Sequence, residues 1–276
     1  MNLNSAIVAY KRDTFPTLSP STRRLYLTVI NIHLVPALGL REMSTITQAD
    51  MQALHIKLGE SPYMANRVLA FASLLFVHYK LPNPAKGVRR YNEDTREYYL
   101  GPEELTKLFE TLASHRDKAF VTAIKLLVFT GCRRQEILDA EWKHVDFNRK
   151  QLLVPHSKTG KKFVVLNEYA IKVLRGAYSH KARYVIEGET PDKPRVNITK
   201  EWHKQRAALG FPQARIHDLR HTFASMVANT SANIFTLRDL LHHSNVAVTQ
   251  RYAHLFDTTL REASDGAFSG LSMPAL

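Results

Sequence analysis

The chain has 276 residues, a formal charge of +13 and 45% hydrophobic residues. That apolar fraction supplies a packed core and excludes wholesale disorder, and the length suggests about two domains. The positive surplus points to a polyanionic partner, of which nucleic acid is the commonest.

Residues 1–18 read as an N-terminal extension. They hold Lys11, Arg12 and Asp13 and no long apolar run, so no secretory signal is read there. Ser19-Pro20-Ser21 then starts a helix, with Leu25, Val29 and Ile32 at three-to-four spacing, and Gly39 ends the region. Thr47 and Asp50 have capping-box spacing ahead of a short helix bearing Met51, Leu54 and Leu58. Ser61-Pro62 gives a cap and a proline at the first helical position, and Val68, Phe71, Leu75 and Phe76 line the helix that follows. Residues 19–81 therefore read as a helical domain, with Arg23, Arg24 and Arg67 as candidate contacts to nucleic acid. Pro82-Asn83-Pro84 opens a linker over 82–98 that carries Lys86, Arg89, Arg90, Tyr91 and Tyr98. Its side chains fit a solvated hinge or one that touches phosphates, and Lys86, Arg89 and Arg90 join the candidate contacts.

The domain boundary is placed near residue 95, with a second domain over 99–257. Pro102-Glu103-Glu104 suits a first helical turn. The apolar stretch 117–129 is a helix that Gly131 caps, and the most apolar segment, Ala119 to Thr130 with Lys125 inside, is too short to span a bilayer. Cys132, at its end, is the one cysteine. It excludes an internal disulfide, fits a reducing cytoplasmic compartment, and reads as a small buried hydrophobe. Residues 152–154 and 163–166 are two short strands with a hairpin tip from His156 to Lys161. Residues 168–257 are helical, with breaks at Gly188 to Pro194, Gly210 to Pro212 and Ser244-Asn245. The fold class is mainly α with a small antiparallel β-sheet.

The chemistry concentrates in a few places. Arg133 lies in Thr130-Gly131-Cys132-Arg133-Arg134-Gln135-Glu136 and Arg220 in His217-Asp218-Leu219-Arg220-His221. Arginine gives a phosphate fixed charge and planar, bidentate donors. Two of them stabilise the charge that builds on five-coordinate phosphorus without a metal ion. A lone arginine is ordinarily surface charge, so the order and spacing of the set carry the weight. His217 fits a proton acceptor for an attacking hydroxyl, and His243, in Leu241-His242-His243-Ser244, fits a hydrogen bond to the phosphate. Tyr252, nine residues after His243, is the candidate nucleophile. A phenol needs neighbouring cations or a base to react near neutral pH. Lys158 at the hairpin tip fits a proton donor to a leaving 5′ oxygen, with Lys161 and Lys162 close enough to compete for the role. Glu136 orients an arginine or only caps the helix. His217 and His221 share the i, i+4 spacing of metal ligands, but the arginine between them disfavours a cation, and no metal site is read.

These motifs stand in order: T-G-x-R-x-x-E, a lysine in a β-hairpin, H-x-L-R-H, L-L-x-H-S and T-x-x-Y-x-H. From about residue 20 to 262 the chain resembles the tyrosine recombinases of the phage-integrase family. The resemblance implies a helical, SAM-like core-binding domain and a mixed α/β catalytic domain that together clamp double-stranded DNA. It maps the catalytic arginines to Arg133 and Arg220, the hairpin lysine to Lys158, the histidines to His217 and His243, the acidic position to Glu136 and the nucleophile to Tyr252. It implies a 3′-phosphotyrosyl intermediate and a free 5′ hydroxyl, with no cofactor. It further implies a tetramer on specific recombination sites, accessory DNA-bending proteins as further partners, and a cytoplasmic, nucleoid-associated place in a prokaryotic or phage setting. The tail 258–276 fits a segment that docks on a neighbouring protomer, or a frayed end.

Two departures stand out. His242 occupies a position where the family usually has glycine, and only about twenty residues precede the expected first helix, too few for an arm-binding domain. Two other function classes remain open on sequence. One is a non-cleaving DNA-binding or architectural protein; the other is type IB topoisomerase-like cleavage and rejoining.

Overall fold

Several helices form where a local start signal precedes an apolar face. The computed structural model of the protein describes residues 1–93, 98–157, 160–190, 192–230 and 233–243, together with 245, 249, 250 and 252. The described chain is mostly helical with one small antiparallel sheet. It divides into two compact units, Met1–Arg96 and Glu97–Leu276.

The first unit opens with helix α1, Leu3–Thr14, whose Asn2 cap accepts the Ser5 amide at 2.8 Å. Leu3, Ala6, Ile7 and Tyr10 fall on one face and are buried, and Tyr10 meets Phe71 edge-on. The expectation that residues 1–18 form an extension is therefore corrected: they hold a core helix. Its charged Arg12 and Asp13 pair with each other in the last turn, outside the core.

Helix α2, Pro20–Thr28, starts at Ser19, whose hydroxyl accepts the Thr22 amide. It runs into a π turn, Val29–Leu34, and then a short helix α3, Val35–Leu38. Pro36 has no amide hydrogen and its ring crowds the carbonyl four residues back, which accounts for the widened turn ahead of it. The widening rotates the apolar face. Val29, Ile30 and Leu34 are buried, while Ile32, expected inside from its spacing, is 63% exposed.

Helix α4, Gln48–Lys57, carries the complete capping box of Thr47 and Asp50. Helix α5, Pro62–His78, has its proline in the first turn and buries Val68, Phe71, Leu75 and Phe76. The stretch predicted as a linker is fastened to this unit as far as Glu93. The Asn66 side chain donates to the Tyr91 carbonyl at 2.9 Å and accepts its amide at 3.1 Å. The Tyr91 ring stacks on buried His55, centroids 4.3 Å apart.

The second unit starts with helix α6, Pro102–Ser114, where Glu104 accepts the Gly101 amide and the Tyr98 hydroxyl. Helix α7, Lys118–Thr130, is buried along most of its length and ends at left-handed Gly131. Helix α8, Arg134–Leu138, follows. Strands β1 (Val145–Asp146), β2 (Gln151–Ser157) and β3 (Gly160–Val165) pair antiparallel in that order. Leu152 opposes Val164 and both are buried, as alternation on a one-sided sheet requires. The register shifts between Val154 and Ser157. Helices α9 (Glu168–Ala177), α10 (Thr199–Ala208), α11 (Asp218–Ala228) and α12 (Ile234–Leu241) complete the described elements. Helices α7 and α9 and the sheet enclose the main core, which includes Cys132. No described helix is long and apolar enough to cross a membrane.

Candidate active site

Arg220 is the centre of the site. It lies on α11 and is 4% exposed. One guanidinium nitrogen donates to the Gly131 carbonyl at 2.7 Å and the other to the Leu241 carbonyl at 2.6 Å. Those carbonyls belong to the C-terminal ends of α7 and α12, where the helix dipoles are negative and free carbonyls need donors. Two helix ends thus converge on one arginine. Burial, and then the charge of Arg133, hold its pKa below that of free arginine. Arg133 and Arg220 therefore feel each other's charge, and the phenol of Tyr252 is within the same electrostatic reach.

Arg133 is the N-cap of α8. Its guanidinium meets Glu136 at 3.0 Å, and its backbone amide donates to the other oxygen of that carboxylate at 2.8 Å. The same carboxylate accepts from Lys162 on β3 at 2.9 Å, and both side chains of that pair are buried. Burial by itself would raise the Glu136 pKa. The Lys162 hydrogen bond and charge, with help from Arg133, outweigh it and hold the carboxyl below its ordinary range. Of the hairpin lysines weighed from sequence, Lys162 is tied into this network and Lys161 is exposed. Lys158 lies outside the described residues, as does the tail 258–276.

His217 sits exposed at the start of α11. Its ring stands edge to face with His221, centroids 5.2 Å apart. His221 Nδ1 meets the Tyr252 hydroxyl at 2.5 Å. The Tyr252 ring is 6% exposed and packs with Ala224, Ala228, Leu237 and Leu241 of its own chain. His243 Nδ1 meets the hydroxyl of buried Thr249 at 2.9 Å. His242 caps α12 in the left-handed conformation, φ 52° and ψ 47°. Burial and then Lys162 hold its pKa below the usual imidazole value.

The second unit thus brings Arg133, Glu136, Arg220, His217 and Tyr252 into one neighbourhood. His221 and Lys162 stand beside them, although the sequence reading gave His221 no role in the chemistry and made Lys162 only a competitor for the hairpin function. The i, i+4 repeat His217/His221 was the available signal for a second histidine on that helix face. The candidate nucleic-acid contacts lie on the first unit. Arg24, Lys86, Arg89 and Arg90 are exposed. Arg23 donates to the Leu18 and Pro16 carbonyls, and Arg67 pairs with Glu93 at 3.2 Å while covering the Tyr63 ring.

This arrangement holds paired guanidiniums, a phenol and imidazoles together, which is chemistry for a phosphodiester. Comparison with known proteins agrees. Residues 99–259, more than half of the chain, match the model of the phage integrase family, and residues 8–59 match the phage integrase N-terminal SAM-like domain. The integrase of Salmonella phage P22 is 26% identical over 71% of this chain and 52% of its own length, so the chain spans about half of that relative. The solved Tn1549 transposon integrase in complex with transposon right end DNA superposes with a TM-score of 0.78 at 17% identity, over 98% of this chain and 100% of that one. A lambda integrase tetramer bound to a Holliday junction gives 0.74 at 18%, over 89% of this chain and 78% of that one. At those identities the structural likenesses speak for the fold. The family match covers the whole stretch from Arg133 to Tyr252, and on it the chain belongs to the phage integrase family.

Proposed function

We propose that the protein is a site-specific DNA recombinase that breaks and rejoins strands through a 3′-phosphotyrosyl bond at Tyr252. Arg133 and Arg220 hold the scissile phosphate and absorb the charge that grows as phosphorus becomes five-coordinate. His217 and His243 hydrogen-bond the phosphate oxygens, and Glu136 orients Arg133. Lys158 gives a proton to the leaving 5′ oxygen. A 5′ hydroxyl of a partner duplex then attacks the phosphotyrosine, so the bond energy is conserved and no ATP is consumed. Arg24, Lys86, Arg89 and Arg90 contact the DNA backbone, and their charge makes binding fall with salt. The working form is a tetramer on paired DNA sites, assisted by DNA-bending proteins and located with the nucleoid.

The observation that carries this reading is the seat of Tyr252. Its hydroxyl rests on an imidazole, within the field of the buried Arg220, inside the region that the family match spans. The lambda integrase tetramer on a Holliday junction supports the assembly by analogy of fold.

The test uses nicked duplexes tiled across the DNA that flanks the gene. Wild type is expected to leave a denaturant-resistant protein–DNA adduct, and Tyr252→Phe to bind without forming one. Tight binding with no adduct on any duplex would leave an architectural protein. Relaxation of supercoiled plasmid without sequence preference or strand exchange would indicate a topoisomerase.

A further inference from the structure

Attack by a phenol requires that its proton leave, and the sequence reading gave that proton to His217. The structure points one helical turn along. We infer that His221, rather than His217, is the general base that receives the Tyr252 proton. This deepens the reading of Tyr252 as the nucleophile and rests on it.

Three observations carry the assignment. His221 Nδ1 is 2.5 Å from the Tyr252 oxygen, hydrogen-bond contact with the atom that would attack. The ring of Tyr252 is held by packing against Ala224 and Ala228, which lie on the same helix, α11, as His221. The base is thus carried on the helix whose apolar face shares a core with the nucleophile's ring, which favours their contact without DNA present. His221 also follows Arg220 directly, so the helix that aims the base aims the phosphate-binding guanidinium too.

The step balances as follows. The Oη–H bond of Tyr252 breaks and its proton passes to Nδ1 of the neutral, Nε2-protonated imidazole. The phenolate oxygen forms the Oη–P bond, the P–O5′ bond breaks, and the departing oxygen takes a proton from a cationic donor, Lys158 in the present reading. In rejoining, the incoming 5′ hydroxyl gives its proton back to the donor left neutral by cleavage and its oxygen forms the new O5′–P bond. The Oη–P bond opens, and the His221 imidazolium returns its proton to the departing phenolate. His217, exposed and perpendicular to His221, is left to the phosphate oxygens.

The probe is whichever nicked duplex gives the wild-type adduct. His221→Ala is expected to slow adduct formation at least about a hundredfold while DNA binding is retained. His221→Asn, whose side-chain oxygen can accept the phenol's hydrogen bond but not its proton, is expected to stay slow. Placing 2,3-difluorotyrosine at position 252 makes the phenol a stronger acid that needs less help. It is expected to restore most of the rate to His221→Ala and to change wild type little.

Full activity in His221→Asn would reduce His221 to a positioning residue and overturn the inference. Failure of the fluorinated phenol to rescue His221→Ala, in a protein that still binds DNA, would overturn it as well. So would wild-type speed in His221→Ala. A wild-type protein that yields no adduct on any duplex removes the functional reading itself, and the inference with it.

Discussion

Helices α7 and α12 end alike and differently. Each closes in the left-handed conformation, at Gly131 with φ 62° and at His242 with φ 52°, and each gives Arg220 a carbonyl. At Gly131 both backbone and space demand glycine, because a Cβ there would collide with the Phe223 ring. At His242 the chain accepts a strained backbone and keeps a half-buried imidazole facing the charges of Lys162, Glu136, Arg220 and Arg133. The first end is built for close packing. The second gives up some stability for a side chain at the site.

The difference can be broken first at Gly131. Gly131→Ala adds left-handed strain to a clash with Phe223, and a loss of about 3 kcal/mol is expected in urea unfolding. The Arg220 seat should go with it, so adduct formation should fail. Unchanged stability would show that the helix end has room to shift.

A contrast of the same kind separates the two arginines. Arg220 is held by uncharged carbonyls, whereas Arg133 shares a carboxylate with Lys162. Glu136→Gln strands Lys162 in the interior, and a loss of about 3 kcal/mol is expected. Adding Lys162→Met should recover much of it; no recovery would mean that Glu136 acts mainly through Arg133. Arg220→Lys keeps charge but cannot fork between two carbonyls, and adduct formation should fall roughly a hundredfold with the fold retained.

The Glu136 network also predicts a pH dependence. The folded-state pKa of Glu136 is depressed, so its contribution is complete above the unfolded carboxylate value and is lost as pH falls through the folded one. The stability gap between wild type and Glu136→Gln should therefore narrow in acid, beginning below about pH 4.5. Glu141, lowered to about 2 by Arg183 and then Lys143, keeps its bonds until the pH falls close to that value. A gap that widened in acid would contradict this assignment. The smallest effect is expected at the second helix end, where His242→Gly should relieve strain and raise stability by about 1 kcal/mol. A loss there would mean that the imidazole packs more than it strains.

Much of this was legible in the sequence, and the remainder was hidden for physical reasons. The start signals at Ser19, Thr47 with Asp50, Pro62 and Pro102, and the stop at Gly131, act through bonds within a few residues, so they can be read locally. Helix α1 was missed although Leu3, Ala6, Ile7 and Tyr10 have helical spacing, because its cap, Asn2, directly follows Met1 and its last turn is charged. The face of the second helix was misjudged at Ile32 because spacing arguments assume an unbroken period, which the turn before Pro36 interrupts. At the site, the motif order gave Arg133, Arg220 and Tyr252. It did not give His221 as the partner of Tyr252, since a contact across 31 residues depends on tertiary packing that local spacing does not encode. The burial of Lys162 was equally unreadable beside exposed Lys161, because a one-residue step on a strand moves a side chain to the other face.

That strand geometry also sets a limit on the hairpin. Lys162 bolts the base of β3 to Glu136, and Val154 pairs across from it, while the register slips just beyond. The described part of the hairpin is therefore anchored at Lys162. Lys158 is four residues from the bolt, so chain length alone keeps its backbone within about 14 Å of Lys162. Any phosphate that Lys158 serves must come within that distance plus the length of one lysine side chain. Lengthening the tip by inserted glycines would widen the limit without disturbing the anchor.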